Sequence, residues 1–273
     1  MKRNPAAARL AEALAWLCSL SVLLPVYLIV INALKTAGEA NTMSISLPRA
    51  FQWSNFAAAV ERGKLVQSFF NSLLMASVSA TISIVISAMA AYVLVRNRDR
   101  LNKWMYSYFF LGLVAPLNYV TTIKVLQLLG LQNTFAGIIL VFAALGIPFA
   151  VFLISGFIGS IPAELDEAAI IDGCGLNRLF FLVVFPLLKP VTVTGFILNF
   201  LGAWNDFVTP LYLLNRSDKL GMVNAIYHFF GMHFNEWNMI SMVIVLSILP
   251  VLTLYLFGQR YIISGMTSGS IKG

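Results

Sequence analysis

The chain has 273 residues, of which 59% are hydrophobic and 11% charged, with a formal net charge of +7 and a mean hydropathy of +0.85. That composition lies well outside the range of ordinary soluble domains and points to an integral membrane protein. With only two cysteines and two histidines, it gives no basis for a disulfide scaffold or a metal centre.

A helix needs about 20 predominantly apolar residues to cross the hydrocarbon of a bilayer, so the gaps between charges predict the spans. Glu12 and Lys35 bracket the first, at about 13–34. Lys2, Arg3 and Arg9 precede it, as in a secretory signal. The apolar run is longer than the roughly 7–15 residues of a signal core, and no small-residue cleavage site follows it. The second span, about 68–95, lies between Lys64 and Arg96, and the third, about 104–128, follows Lys103. A polar turn, GLQN at Gly130–Asn133, then introduces a fourth span at about 134–158, within a stretch from Val125 to Ala163 that carries no Asp, Glu, Lys or Arg. The fifth, about 190–214, is interrupted only by Asp206, and the sixth, about 237–258, is bracketed by Glu236 and Arg260. The expected architecture is an all-α integral membrane protein with six transmembrane helices in one transmembrane domain, 1–273.

Lysine and arginine favour cytoplasmic loops. An N-terminus in the cytoplasm puts Lys2, Arg3, Arg9, Arg96, Arg98, Arg100, Lys103, Arg178, Lys189, Arg260 and Lys272 inside. Lys35, Arg49, Arg62, Lys64, Lys124, Arg216 and Lys219 fall outside. The cluster RNRDRLNK at Arg96–Lys103 dominates this bias. The net positive charge therefore reads as a topology signal, with no nucleic acid as partner. Both termini and the 159–189 segment fall on the cytoplasmic side. Cys174 then sits in a reducing compartment, while Cys18 lies within the first span. His228 and His233 read as outer-loop histidines without a ligand pattern.

No catalytic machinery is legible. The pair Gly63-Lys64 is followed by Leu65 and lacks the upstream glycine of a phosphate-binding loop. No Ser, His and acid grouping suggests a hydrolase. The expectation is a protein that is not an enzyme and has no cofactor or metal of its own. If ATP drives transport, ATP and Mg are bound by another polypeptide.

The loop 159–189 is long for a helix connection, which commonly takes 2–8 residues, and it carries its own helical punctuation. Pro162 suits the first turn of a helix, and Glu164, Asp166 and Glu167 suit its positive N-terminal end. Leu165, Ala168, Ala169 and Asp172 are expected to share a face, apart from Glu167, Ile170 and Ile171. Gly173, Cys174 and Gly175 should end the helix, with a second short helix from Leu176 to Phe185 before Pro186 and Pro190. On these grounds the loop is a docking element for a cytoplasmic partner.

The segment IPAELDEAAIIDG, Ile161–Gly173, with Pro186 thirteen residues on, resembles the EAA loop of ABC importer permeases. Glu167, Ala168, Ala169, Gly173 and Pro186 match in register, while Val183 and Phe185 stand where that pattern has Ile and Leu. LLPVYLIVINALK, SFFNSLLMASVSAT, GLQNTFAGIIL, GAWNDFVTPL and the C-terminal QRYIISGMTSGSIKG are similar to segments of the sugar-importing, maltose-permease-like branch. Ile123 and Lys124 depart from it, at a place where the family commonly has Ile-Pro.

The resemblance implies a permease subunit that forms half of a translocation path for a carbohydrate in the bacterial inner membrane. Implied partners are a second permease, favoured as a related but distinct chain in a heterodimer, two ATPase subunits, an extracytoplasmic solute-binding protein and membrane lipid. It also implies that Glu167, Ala168, Ala169, Asp172, Gly173 and Pro186 belong to an ATPase-coupling helix and its bend, between the fourth and fifth spans. Trp204, Asn205, Asp206 and Phe207 are candidates for the substrate path, because an ionisable group within a span is functional by default and aromatic rings stack on sugars. The competing role for Asp206 is to fix helix packing. Alternatives for the whole chain are an ABC permease for a non-sugar solute, such as a polyol phosphate, and a self-sufficient secondary transporter.

The topology is tested by reporter fusions. A fluorescent protein fused at the C-terminus should fluoresce, and alkaline phosphatase fused after Lys64 should be active. An active phosphatase at the C-terminus would overturn the six-span orientation.

Overall fold

The computed structural model describes residues 5–97, 99–231 and 235–268; Lys2, Arg3, Arg98, His233 and Lys272 lie outside the described residues. Among the described residues, four helices are long and apolar enough to cross a bilayer: α1 (Pro5–Ala33), α4 (Leu65–Arg96), α7 (Phe135–Ile158) and α13 (Trp237–Ser268). Two bent pairs complete a possible six. Between α1 and α4 lie two short helices, α2 (Ala37–Ala40) and α3 (Ser54–Arg62).

The third expected span is two helices, α5 (Arg100–Val114) and α6 (Tyr119–Leu128), bent by 117°. The cause is local. Pro116 forces Ala115 out of the helical region, to φ −69° and ψ 121°. Asn118 then starts α6 by accepting a hydrogen bond from the Thr121 amide.

The segment before the fifth span is α8 (Glu164–Ile171), followed by α9 (Leu176–Arg178), six residues of π-helix (Leu179–Val184) and α10 (Phe185–Leu187). Pro186 has no N–H, and its ring would crowd the carbonyl four residues back in an α-helix. The widened turn immediately before it accommodates both. From Leu176–Leu187 the chain bends by 78° into α11 (Lys189–Asn205). The expected run to residue 214 does not continue as one helix: it stops at Asn205 and restarts as α12 (Val208–Leu213).

The contacts divide the chain into two compact units: residues through Val66 with Ala225–Leu249, and Gln67–Asn224 with the chain from Pro250 on. In the first unit the two Asn55 amide hydrogens go to the carbonyls of Ala33 and Lys35, at 2.8 and 2.9 Å, satisfying acceptors left open at the end of α1. Arg62 and Glu236 form a two-pronged ion pair at 2.8 and 2.5 Å, with the Arg62 guanidinium over the Phe229 ring.

Two apolar clusters stand out among the described residues of the second unit. One gathers Met75 of α4, Leu126 of α6, Ile138 and Phe142 of α7, and Leu213 of α12. The other gathers Ile84, Ala88 and Ala91 of α4, Ala150, Ile154 and Ile158 of α7, and Val191 of α11, together with Ala169, Phe180 and Val184 from the loop between the fourth and fifth spans. Without a hydrophobic drive between helices in lipid, close approach through small residues must supply the packing. Ala76, Ser79, Ala80, Ser83, Ser87, Ala88 and Ala91 of α4 are accordingly buried. At Gly146 of α7 a β-carbon would come within 2.8 Å of Ser83 Oγ and 2.9 Å of Asn199 Nδ2, so any larger residue must displace that hydrogen-bonded pair.

His228, in the first unit, is half-buried, and its Nε2 has no hydrogen-bond partner among the described residues. Burial, and then the charge of Lys64, push its imidazole below the ordinary pKa of about 6.5. The unfolded chain therefore binds the proton more readily than the folded one. Stability should be unaffected well above pH 6.5 and should fall as the pH drops from there toward the folded-state pKa. Thermal unfolding in detergent at pH 7.5 and 5.5 should show a smaller loss for His228→Gln than for the wild type; equal losses would remove His228 from the effect.

Candidate functional site: the coupling loop

Helix α8 is eight residues long, with Glu164, Asp166 and Glu167 in its first turn. It begins two residues after Pro162, later than the sequence suggested. Its end is set by a Schellman motif: the Cys174 amide donates to Ala169 O and the Gly173 amide to Ile170 O, both at 3.0 Å. Gly173 has φ +81°, a conformation costly for any residue with a β-carbon. The expected bend at Gly173 is thus the helix terminus itself.

The four residues expected to share a face, Leu165, Ala168, Ala169 and Asp172, do not share one environment. Asp166 and Ala169, three residues apart, are buried, whereas Leu165, Ala168 and Asp172 are exposed with Glu167, Ile170 and Ile171. The reason is an ion pair between elements 70 residues apart. Arg96 Nε, at the end of α4, donates to Asp166 Oδ2 at 2.7 Å, and the Tyr92 hydroxyl donates to the same oxygen at 3.2 Å. The Arg96 guanidinium also donates to the carbonyls of Ile161 and Pro162, at 3.1 and 3.4 Å. One side chain therefore holds both the approach to α8 and its first turn. The pair is largely withdrawn from solvent, with side chains 18% and 11% exposed. Such a pair is strongly sensitive to loss of either partner.

Ala169 packs inward in the same cluster as Phe180, Val184 and Leu188, so its small side chain lets α8 approach its own chain. Ala168 faces outward. Glu164, Glu167, Ala168 and Ile171 recur at three- and four-residue spacing and form one exposed stripe. Ile171 is 85% exposed and Leu176, just past the bend, is 81% exposed. Acidic and apolar groups stand side by side on a short helix that is fastened from behind.

Sequence reasoning treated Asp166 only as an acid suited to a helix N-terminus and Arg96 only as part of a basic cluster. The available signal was the helical wheel of α8, which sets Asp166 about 100° from Glu167 and on the side of Ala169. Nothing in the sequence names Arg96 or Tyr92 as its partner.

The four substrate-path candidates separate in the structure. Trp204 is buried, stacked on Phe200 at 5.6 Å and edge-on to Phe69 at 5.8 Å, so its ring faces the interior of the bundle. Asp206 accepts from the amides of Val208 and Thr209, both at 2.9 Å, and from the Thr209 hydroxyl at 2.6 Å. It thereby starts α12 and explains the break after α11. Phe207 is half-buried, and its carbonyl accepts from the Asn224 side chain at 2.7 Å. Asn205 is exposed at the end of α11. No group of three or more His, Cys, Asp or Glu capable of holding a metal ion occurs among the described residues. Cys18 and Cys174 are both free thiols.

Residues 83–268 match the family described as "Binding-protein-dependent transport system inner membrane component". The chain is 34% identical over 268 residues to the melibiose/raffinose/stachyose import permease protein MelC of Bacillus subtilis, covering 97% of each. It is 30% identical to a probable starch degradation products transport system permease protein, AmyC, of Thermoanaerobacterium thermosulfurigenes, covering 91% of each. Its fold superposes with a TM-score of 0.81 on a chain of a bacterial ABC transporter that imports the acidic polysaccharide alginate, at 20% identity, covering 96% of this chain and 98% of that one. Membrane-spanning helices, a loop fastened between the fourth and fifth spans and these matches agree: the chain belongs to the family of inner-membrane components of binding-protein-dependent transport systems, as a multi-pass ABC importer permease.

Proposed function

We propose that this chain forms half of the path for a carbohydrate, an oligosaccharide above all, and that α8 is its joint with a cytoplasmic ATPase. The relatives named for melibiose, raffinose, stachyose and starch products support the substrate class. The observation that carries the joint is the exposed stripe Glu164, Glu167, Ala168 and Ile171 on a helix whose opposite face is locked to α4 by Arg96 and Asp166. A groove of matching shape receives the stripe, with a basic group opposite Glu167. The Arg96 clamp then passes the movement of the docked helix to α4, and Gly173 with the π-helical turn passes it to α11. ATP and Mg stay on the ATPase, and an extracytoplasmic binding protein delivers the solute to a pair of permeases, this chain and a related one. Alternating access follows as rigid elements repack. The exposed Asn205 is the side chain among the four candidates best placed to meet solute, and Asp206 serves the break between α11 and α12.

The expected outcome in vesicles holding this chain, its partner permease and the ATPase is uptake of oligosaccharide that requires ATP and binding protein. Uptake of a polyol phosphate instead would keep the joint and replace the substrate. Uptake by this chain alone on an ion gradient would overturn the whole reading. Glu167→Ala and Ile171→Asp should reduce co-purification of the ATPase and abolish transport with insertion unchanged; normal assembly in both would refute the joint.

Arg96→Met leaves Asp166 as a carboxylate withdrawn from water without its cation, which costs up to about 3–5 kcal/mol when burial is complete. Hydrogen exchange over residues 164–175 should rise in Arg96→Met and in Asp166→Ala, and uptake should fall by a larger factor than ATPase co-purification. Unchanged exchange in both variants would show that the clamp does not hold the loop.

A further inference from the structure

The segment between α1 and α4 carries an exposed aromatic cluster that the transport mechanism does not use. Phe51, Trp53 and Phe56 are 54%, 71% and 52% exposed, with Phe51 and Trp53 stacked at 6.3 Å between ring centres. The adjoining Ile45 and Leu47 are 66% and 65% exposed. Large apolar side chains so placed are costly in water at roughly 25 cal/mol per Å² of apolar surface.

Their depth relative to the bilayer is fixed by hydrogen bonds to α1. From Leu14 to Val30 that helix is apolar and none of its residues is buried by this chain, so these side chains stand open to lipid. Its end is tied to the aromatic segment three times. The Gln52 amide donates to Leu34 O at 2.9 Å, and the buried Asn55 side chain donates to Ala33 O and Lys35 O. A fourth tie runs lower. The Tyr27 hydroxyl donates to Ile45 O at 3.1 Å, and Tyr27 lies about 9 Å before Ala33 along the helix axis, with its side chain directed back toward the N-terminus. Ile45 therefore lies beside α1 about 9 Å below its end, a level that a soluble partner approaching from the aqueous side does not reach, and the aromatic segment is tied at that end.

We propose that residues 45–56 form a membrane-interface anchor in which Trp53, Phe51 and Phe56 seat at the boundary between lipid headgroups and acyl chains. Aromatic rings prefer that layer. Arg49, whose side chain is 96% exposed and only 3.9 Å from Glu39 at its nearest, extends toward lipid phosphate. Helix α3 lies along the interface with Asn55 and Ala59 turned to the protein and Phe56 to lipid. The anchor fixes the height at which α1 leaves the bilayer, and it acts independently of the solute carried.

The test is the membrane depth of a nitroxide on the full chain, in vesicles of phosphatidylcholine and phosphatidylglycerol. Cys18→Ser and Cys174→Ser remove the native thiols, and labels are placed at Trp53→Cys, Phe51→Cys and Phe56→Cys in turn, with Glu61→Cys as a water-facing reference. Collisions with an aqueous nickel chelate should fall severalfold from the Glu61 label to the others, while collisions with membrane-dissolved oxygen rise. Chelate contact equal to that at Glu61 at all three sites would overturn the proposal, as would labels reached by neither reagent, the result expected if another protein covers the patch. The three sites are read separately, so a single variant that fails to insert does not decide the result.

Discussion

The loop between the fourth and fifth spans is held by one guanidinium. Arg96 sits where α4 leaves the apolar part of its sequence, and it accounts at once for the carbonyls of Ile161 and Pro162 and for the carboxylate of Asp166. A planar fork with five donors is suited to this task, and a lysine's point charge is not. Once Asp166 is turned inward, the eight-residue geometry of α8 decides the rest: Ala169 follows it into the core, and Glu167 and Ile171 are turned out. An eight-residue helix has little stability of its own. It keeps its orientation because its first turn is clamped and its last turn closes in the Schellman motif at Gly173.

The helices that receive this loop are packed by a different rule. Alanines and serines along α4, and Gly146 on α7, bring backbones close enough for dispersion and the Asn199 to Ser83 hydrogen bond to act where the hydrophobic effect contributes nothing. Loop and spans meet in one apolar cluster, in which Ala169 and Phe180 lie with Ala88, Ile154 and Val191. A displacement of α8 is therefore felt by α4, α7 and α11 together, because close-packed interiors transmit strain. The π-helical turn before Pro186 and the 78° bend into α11 lie on the same route.

Two sequence-level expectations were altered by proline and aspartate. The third span is predominantly apolar, yet Pro116 withholds a backbone donor and restricts Ala115, so the run divides into α5 and α6. In the fifth, Asp206 was a candidate either for substrate contact or for fixing helix packing. Its two oxygens receive three local hydrogen bonds and start α12. Trp204 looked available for stacking and is enclosed by Phe69 and Phe200.

Composition and the spacing of charges determined that the chain is a helical membrane protein and that a punctuated loop interrupts its apolar runs, because hydrocarbon admits only segments that satisfy their own backbone. The pattern around Glu167 and Gly173 was likewise legible, since acids at a helix start and glycine at its end act within a few residues. Which face of α8 turns outward was decided only by tertiary structure. The side chain that orients it, Arg96, lies 70 residues away, and an ion pair over that separation leaves no periodicity in the sequence.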